Sequence, residues 1–177
     1  MKEWEILEDT EQDYVWQFIH KNFEFHPRYN RNDTSIPFLK LPKPYHIYDM
    51  HLFTAYLKDN SVTTDEDFYN TFDQIITSIF IKCMGTSEFI YALDWQHTCF
   101  KYNPKSPEKM PRELEMEDFK VYLPDFYPDG DYYFFIASDF SWGYFTHRWV
   151  QELWLFGEKL LSEIKNVPSI YLTLKSR

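Results

Sequence analysis

Two segments of the chain carry apolar residues at helical spacing. The first predicts a helix over 10–23 and is formed by Val15, Phe18, Ile19 and Phe23. The second predicts a helix that begins after Thr64 and ends at Gly85, and its apolar stripe consists of Phe68, Phe72, Ile75, Ile76, Ile79 and Cys83. Because such a stripe packs against a core, we expect Cys83 to be a buried thiol rather than a nucleophile.

Most of the remaining apolar residues alternate with a period of two and predict strands. The predicted strands cover 45–52, 89–93, 98–102, 119–123, 132–138, 143–146, 149–156 and 170–174. The segment 149–164 also fits one continuous helix, but Gly157 favours a strand to Phe156 followed by a short helix.

Successive strands with few crossover helices predict an α+β fold. We expect a single domain over 1–177 with a mostly antiparallel, curved sheet and helices packed on one side. An irregular arm at 26–44 and a surface excursion at 103–118, both rich in proline and polar residues, should lie within this domain.

Composition and charge narrow the possible partners. The chain has 177 residues, a net charge of −10, and an unusual aromatic content of 17 Phe, 14 Tyr and 6 Trp. The negative charge disfavours nucleic acid and anionic membranes as partners, so the expected partner is another protein. The rings can form an aromatic core or line a ligand cleft, and the core is the more common use.

Cysteine usage and the first residues indicate a cytoplasmic protein. Cys83 and Cys99 are the only cysteines, and their spacing is not that of a zinc site. The acidic start lacks the apolar segment of a signal peptide, and no apolar run is long enough to span a membrane. The oligomeric state does not follow from these features.

Four aspartates near an aromatic tract, Asp125, Asp129, Asp131 and Asp139, first suggest a calcium loop. The match fails because Tyr127 and Ile136 stand at the third and twelfth positions, where such a loop requires oxygen ligands. The residues around these aspartates are typical of turns, so turn formation is the favoured interpretation.

Carboxylates and imidazoles still provide candidates for acid–base chemistry. If the protein is an enzyme, the candidate catalytic residues are Asp94, His97, Asp131, Asp139 and His147. A metal-dependent hydrolase would require three of them within bonding reach of one ion, which the sequence does not indicate. We therefore expect no metal site and no cofactor.

Two stretches of the chain carry specific motifs. The first contains Leu93-Asp94-Trp95-Gln96-His97 and Cys99-Phe100; the second contains Gly130-Asp131-Tyr132-Tyr133, Asp139 to Gly143, His147, Trp149 and Phe156-Gly157. Together they resemble DUF2716, a bacterial family of uncharacterised proteins. The family-like pattern Gly-His-Pro-Trp is Thr146-His147-Arg148-Trp149 here. The resemblance implies a compact bacterial cytosolic protein and implies no reaction.

Two functional hypotheses remain open. The first is a non-enzymatic interaction protein, such as an immunity protein that blocks a toxin or effector, because the domain is acidic and lacks a recognisable catalytic motif. Its expected binding surface consists of Trp95, Trp142, His147, Arg148 and Trp149, with Trp142 as anchor. The alternative is a small enzyme or ligand-binding module with an Asp/His site in an aromatic-lined pocket.

Overall fold

The computed structural model describes residues 2–27, 39–58, 65–110, 113–115, 120–128 and 131–176. Within them the helices are α1 (Asp9–Phe23), α2 (His51–Lys58), α3 (Asp65–Met84) and α4 (Glu158–Ile164). The strands are β1 (Trp4–Ile6), β2 (Tyr45–Asp49), β3 (Ile90–Asp94), β4 (Phe100–Tyr102), β5 (Glu113–Glu115), β6 (Lys120–Tyr122), β7 (Tyr133–Ala137), β8 (Gly143–His147), β9 (Glu152–Phe156) and β10 (Thr173–Ser176).

Eight of these strands form one sheet in the order β1-β4-β3-β7-β8-β9-β2-β10, and every neighbouring pair is antiparallel. Strands β5 and β6 form a separate antiparallel pair. Strand β5 lies within the predicted surface excursion, and β6 directly follows it. The predicted α+β class with an antiparallel sheet is therefore confirmed.

Both faces of the large sheet are covered, because its strands carry apolar residues on alternate sides. On β7, Phe135 belongs to the core that contains α2, α3 and α4, whereas its neighbours Phe134 and Ile136 belong to the core that contains α1. The expectation that helices pack on one side holds for α2, α3 and α4. It is wrong for α1, whose residues Val15 and Ile19 are buried against the opposite face.

The two helices with the clearest periodicity lie where the pattern predicts them. Helix α1 begins one residue before the predicted start, and α3 ends at Met84, where Gly85 adopts a left-handed φ of +60°. The proposed cap Thr64 lies outside the described residues. Cys83 is buried, as the stripe predicts.

Elements with short or mixed patterns differ from the prediction. The segment predicted as one strand over 45–52 is strand β2 followed by α2, and the last strand begins only at Thr173. Strand β1 lies in the acidic start, where no strand was expected, and its Trp4 stacks on Tyr102 of β4 with ring centroids 4.0 Å apart. The strand-then-helix interpretation of 149–164 is correct.

The sheet is open, and its two outer strands are irregular or short. Strand β1 has three residues, and the pairing of β10 with β2 shifts register between Leu174 and Ser176. None of the helices in the described part of the chain combines the length and apolar character needed to cross a membrane.

Ile76 on α3 is completely buried and provides a test of the packing of this helix. Ile76→Ala should lower the free energy of unfolding by about 2–5 kcal/mol, through lost transfer energy and the cavity left behind. Ile81 of the same helix is 37% exposed, so Ile81→Ala is a matched control with a much smaller expected loss. Equal losses in urea denaturation would contradict the orientation of α3.

Burial also predicts low reactivity for both cysteines. It raises the pKa of the Cys83 thiol to about 11 and that of Cys99 to about 11, so neither is a thiolate at neutral pH. Iodoacetamide should therefore leave the native protein unmodified and alkylate both residues after denaturation, as measured by mass spectrometry. Rapid alkylation of either native thiol would contradict this prediction.

Candidate functional site

Three of the five candidate catalytic residues lie together: Asp94, His97 and Asp131. The Nδ1 atom of His97 is 2.9 Å from Oδ1 of Asp94 and 3.5 Å from Oδ2 of Asp131. The two aspartate side chains are 8% and 11% exposed, whereas the His97 side chain is 63% exposed. The imidazole thus lies between two nearly buried carboxylates and remains accessible from solvent.

The pairing of β3 with β7 brings these residues together. Asp94 ends β3 and is opposite Tyr133, the first residue of β7. Beyond the last ladder pair, the Trp95 backbone N–H donates to the Tyr132 carbonyl at 3.1 Å. Because the strands are antiparallel, the residues that follow β3 lie beside those that precede β7, and Asp131 is one of the latter.

A tight turn returns His97 to Asp94. The backbone N–H of His97 donates to the Asp94 carbonyl at 3.3 Å, and Gln96 between them has a φ of +83°. This φ lies in the left-handed region that favours glycine, and holding another residue there costs about 1–3 kcal/mol. The strained backbone places the imidazole against both carboxylates.

The two carboxylate oxygens of Asp131 have different partners. Oδ1 accepts a hydrogen bond from the Tyr132 backbone N–H at 2.7 Å, while Oδ2 faces His97. Thr146 on β8 supports this segment, since its hydroxyl accepts from the Tyr133 N–H at 2.8 Å and donates to the Asp131 carbonyl at 3.5 Å. Asp131 therefore supports the start of β7, as expected, and also contributes to the site. Gly130 and Asp129 lie outside the described residues.

The electrostatics of the site favour a positive group between the carboxylates. The hydrogen bond to Asp94 raises the pKa of His97, and the negative charges of Asp94 and Asp131 act in the same direction. Burial raises the pKa of Asp131, although the Tyr132 N–H, His97 and Arg148 partly offset that effect. Desolvated carboxylates of like charge are costly unless a cation lies near them.

These residues line a cavity of about 530 Å³. Its walls are formed by side chains from β3, β6, β7, the segment that precedes β7 and the segments that follow β3 and β8: Asp94, His97, Thr98, Lys120, Val121, Tyr122, Asp131, Tyr133 and Arg148. A cavity of this size accommodates a small molecule beside the three polar residues.

Arg148 follows β8, and its position is fixed on two sides. Its guanidinium carbon is 4.3 Å from the centroid of the Trp149 ring, a cation–π contact. Its backbone carbonyl accepts from the Gln151 side chain at 2.8 Å, and the same amide nitrogen donates to the Pro128 carbonyl at 3.0 Å. Gln151 thus links the Arg148 turn to the segment that leads to Asp131.

The other two candidate catalytic residues do not line the cavity. Asp139 accepts hydrogen bonds from the Ser141 backbone N–H and hydroxyl at 3.0 and 2.6 Å, so it is a turn former, and the Ser141 hydroxyl lowers its pKa. His147 is 1% exposed at the end of β8, and its ring centroid is 5.5 Å from that of Tyr132. It belongs to the packing behind Asp131.

The expected binding surface is also divided by the fold. Trp95 is half-buried and makes edge contacts with Phe25 and Tyr132. The Trp149 ring makes a cation–π contact with the guanidinium of Arg148. Of the five expected binding residues, Arg148 alone lines the cavity. The five residues therefore do not form one continuous exposed patch.

Trp142 was expected as a surface anchor, and this expectation of exposure is wrong. Its side chain is 3% exposed, and its ring lies 5.4 Å from that of Phe80 on α3. Gly157, with a φ of +96°, approaches so closely that a β-carbon there would lie 2.4 Å from the Trp142 Cβ. The ring is instead part of the core that contains α3.

Sequence reasoning did not select five of the cavity residues: Thr98, Lys120, Val121, Tyr122 and Tyr133. Tyr133 lies two residues after the motif residue Asp131 and pairs with Asp94 in the ladder, so a correct strand register would have revealed it. Lys120 and Tyr122 lie on β6, whose position beside the cavity depends on the hairpin with β5 and had no local signal.

The chain is similar to proteins without an assigned function. The sequence profile of a family described as "Protein of unknown function (DUF2716)" matches residues 6–161, which include all three clustered residues. The uncharacterized protein YxiI of Bacillus subtilis (strain 168) is 32% identical over 173 residues, covering 96% of this chain and 97% of YxiI. No solved structure shows significant similarity.

The burial of Trp142 predicts a loss of stability on truncation. Trp142→Ala should lower the free energy of unfolding by about 3–5 kcal/mol, because it leaves a large cavity beside Phe80. Trp149→Ala is the matched control, and its loss should be smaller since that ring is only half-buried. A melting temperature for Trp142→Ala close to that of the unmodified protein would contradict the core assignment.

Proposed function

For this chain, which belongs to the DUF2716 family of proteins of unknown function, we propose a role as a small enzyme or ligand-binding module that acts through a divalent metal ion. The ligands are Asp94, His97 and Asp131. The observation that carries the proposal is that one ligand atom from each of these residues lies within 4.8 Å of the others, in the wall of a cavity.

The distances among the ligand atoms support coordination of a single ion. Two ligands at about 2.1 Å from one ion lie about 3.0 Å apart at a right angle and about 3.4 Å apart at the tetrahedral angle. His97 Nδ1 is 2.9 Å from Asp94 Oδ1 and 3.5 Å from Asp131 Oδ2. A bound ion would replace the proton that otherwise mediates the contact of Nδ1 with the carboxylates.

The donor set favours particular ions. One imidazole nitrogen and two carboxylate oxygens suit Zn²⁺ or Mn²⁺, whereas Ca²⁺ and Mg²⁺ prefer sites made of oxygen ligands alone. Both described cysteines are buried, and neither is in the group of clustered ligands. We therefore propose zinc or manganese as the ion.

The surroundings of the three ligands favour a catalytic ion over a purely structural one. Structural zinc sites usually have four protein ligands, while catalytic sites have three and leave a position for water or substrate. Within the described residues the group has three members, and the adjacent cavity has space for a ligand. A metal-bound water in such a position is activated toward hydrolysis, so hydrolysis is the proposed reaction type.

A simple ion pair is the structural alternative, and the chain contains one for comparison. His51 Nδ1 lies 2.9 Å from Asp49 Oδ2, the same separation as in the His97–Asp94 pair. The Asp49–His51 pair is more exposed and is not part of the clustered group. The second carboxylate, the burial and the cavity distinguish the proposed site from an ordinary surface pair.

The hypothesis of an interaction protein, including an immunity protein, stays a prediction. Its support is reduced because its anchor Trp142 is buried and Arg148 lines the cavity instead. A cytoplasmic location is likewise a proposal, supported by the two free, buried cysteines, which suit a reducing compartment.

Calorimetric titration of the chelator-treated protein with Zn²⁺ and Mn²⁺ tests the metal site. We expect one ion per chain, and a loss of affinity of at least about tenfold in Asp94→Asn, His97→Gln and Asp131→Asn. Asp131→Asn should still fold, since an amide oxygen can accept the Tyr132 N–H hydrogen bond. Cobalt substitution provides a second measurement, because its visible absorption reports coordination by the protein.

Two matched controls isolate the role of the cluster. His51→Gln removes the imidazole of the exposed ion pair, and Asp139→Asn removes the charge of a turn-forming aspartate outside the cavity. Both should bind the metal as the unmodified protein does. Absence of binding by the unmodified protein, or equal binding by the cluster variants and the controls, would contradict the proposed function.

A further inference from the structure

The cavity has a local charge distribution that differs from that of the whole chain. The protein carries a net charge of −10, yet the cavity wall includes two basic residues, Lys120 and Arg148. A strongly acidic protein repels anions in general, so basic side chains in a concave site have a specific electrostatic effect there.

Arg148 is suited to bind an oxyanion. A planar guanidinium can donate two parallel hydrogen bonds to a phosphate or carboxylate, and its cation–π contact with Trp149 restricts where the group can lie. Arg148 also lines the same cavity as the three clustered residues, so its charge lies on the same side of the molecule as the site.

Lys120 adds a second positive charge from another wall. It lies on β6 and forms an exposed ion pair with Glu113 of β5, with a separation of 2.5 Å. Exposed ion pairs are weak, about 0–1 kcal/mol, so the ammonium can exchange this partner for a ligand at little cost. Its hairpin thus supplies a cation to the opening of the site.

The balance of charges around the ion also favours an anionic ligand. A divalent cation, two carboxylates and a neutral imidazole sum to zero, so Arg148 would have no counter-charge at the metal, whereas Lys120 is paired with Glu113. An anionic ligand would neutralise Arg148 and would also attract Lys120 from its weak, exposed ion pair. Tyr122, Tyr133 and Val121 in the same wall would contact an apolar part of that ligand.

On the basis of the proposed metal site, we infer that its ligand is a small molecule with an oxyanion group, a phosphate or a carboxylate. Arg148 would hold the oxyanion beside Asp94, His97 and Asp131, where the ion would also attract it, and Lys120 would add a weaker contact.

Titration of the Mn²⁺-loaded protein with inorganic phosphate and, separately, with acetate tests this inference. At least one of the two should bind, and the stronger ligand identifies the oxyanion class. Arg148→Gln should weaken this binding at least about tenfold, and Lys120→Gln should weaken it less, while both variants still bind one Mn²⁺ per chain. Phosphorus-31 relaxation by bound Mn²⁺ reports directly whether phosphate lies beside the ion.

The design separates the two proposals. Lys82→Gln is the control for Lys120→Gln, because Lys82 also forms an exposed ion pair, with Glu163, and does not line the cavity. If Mn²⁺ binds but neither anion does, or if both bind equally well to Arg148→Gln, the oxyanion inference is wrong and the metal site stands. If Mn²⁺ itself does not bind to the unmodified protein, the proposed function is wrong, and the oxyanion inference is lost with it.

Discussion

The antiparallel register of β3 and β7 is the constraint on which both the core and the candidate site depend. The ladder sets Asp94 opposite Tyr133 and Leu93 opposite Phe134. A slip of one residue would turn every side chain of one strand to the other face and would exchange the residues of the two cores. The same slip would move Asp131 away from Asp94 and His97. One set of backbone hydrogen bonds therefore determines which face is packed by α1, which is packed by α3, and where the polar residues meet.

Much of the fold could be predicted from local patterns, because α1, α3 and most strands have a clear period of their own. Local patterns failed where tertiary contacts determine the outcome. Strand β1 forms in an acidic segment because Trp4 stacks on Tyr102, and α1 lies on the far face of the sheet, which its own amphipathic stripe does not specify. The burial of Trp142 likewise depends on Phe80, a residue far away in the chain.

For the site, the sequence indicated the right residue types, aspartate and histidine. It did not show which of the candidate residues lie close together in the fold. Asp139 and Asp131 both follow typical turn patterns, but Asp131 alone precedes the strand that pairs with β3. His97 and His147 are both motif histidines, and the difference between them is that one is largely exposed beside two carboxylates while the other is buried behind them. These distinctions arise from strand pairing over long sequence separation, which no local pattern records. The strained φ of Gln96 was equally invisible, although it is what turns His97 toward the carboxylates.

Among the strands that the structure describes, β1 and β10 are the outer members of the eight-stranded sheet, and the backbone groups of their outer edges could pair with another molecule. Open edges of this kind are the usual starting points of aggregation and of fibres built from stacked strands. Here one edge is only three residues long, and the other is interrupted by an irregular register and carries Lys175. A short edge offers few hydrogen bonds to an incoming strand, and an irregular, charged edge is a poor template. The short and irregular ends of the sheet therefore lower the tendency of these two edges to pair with another strand.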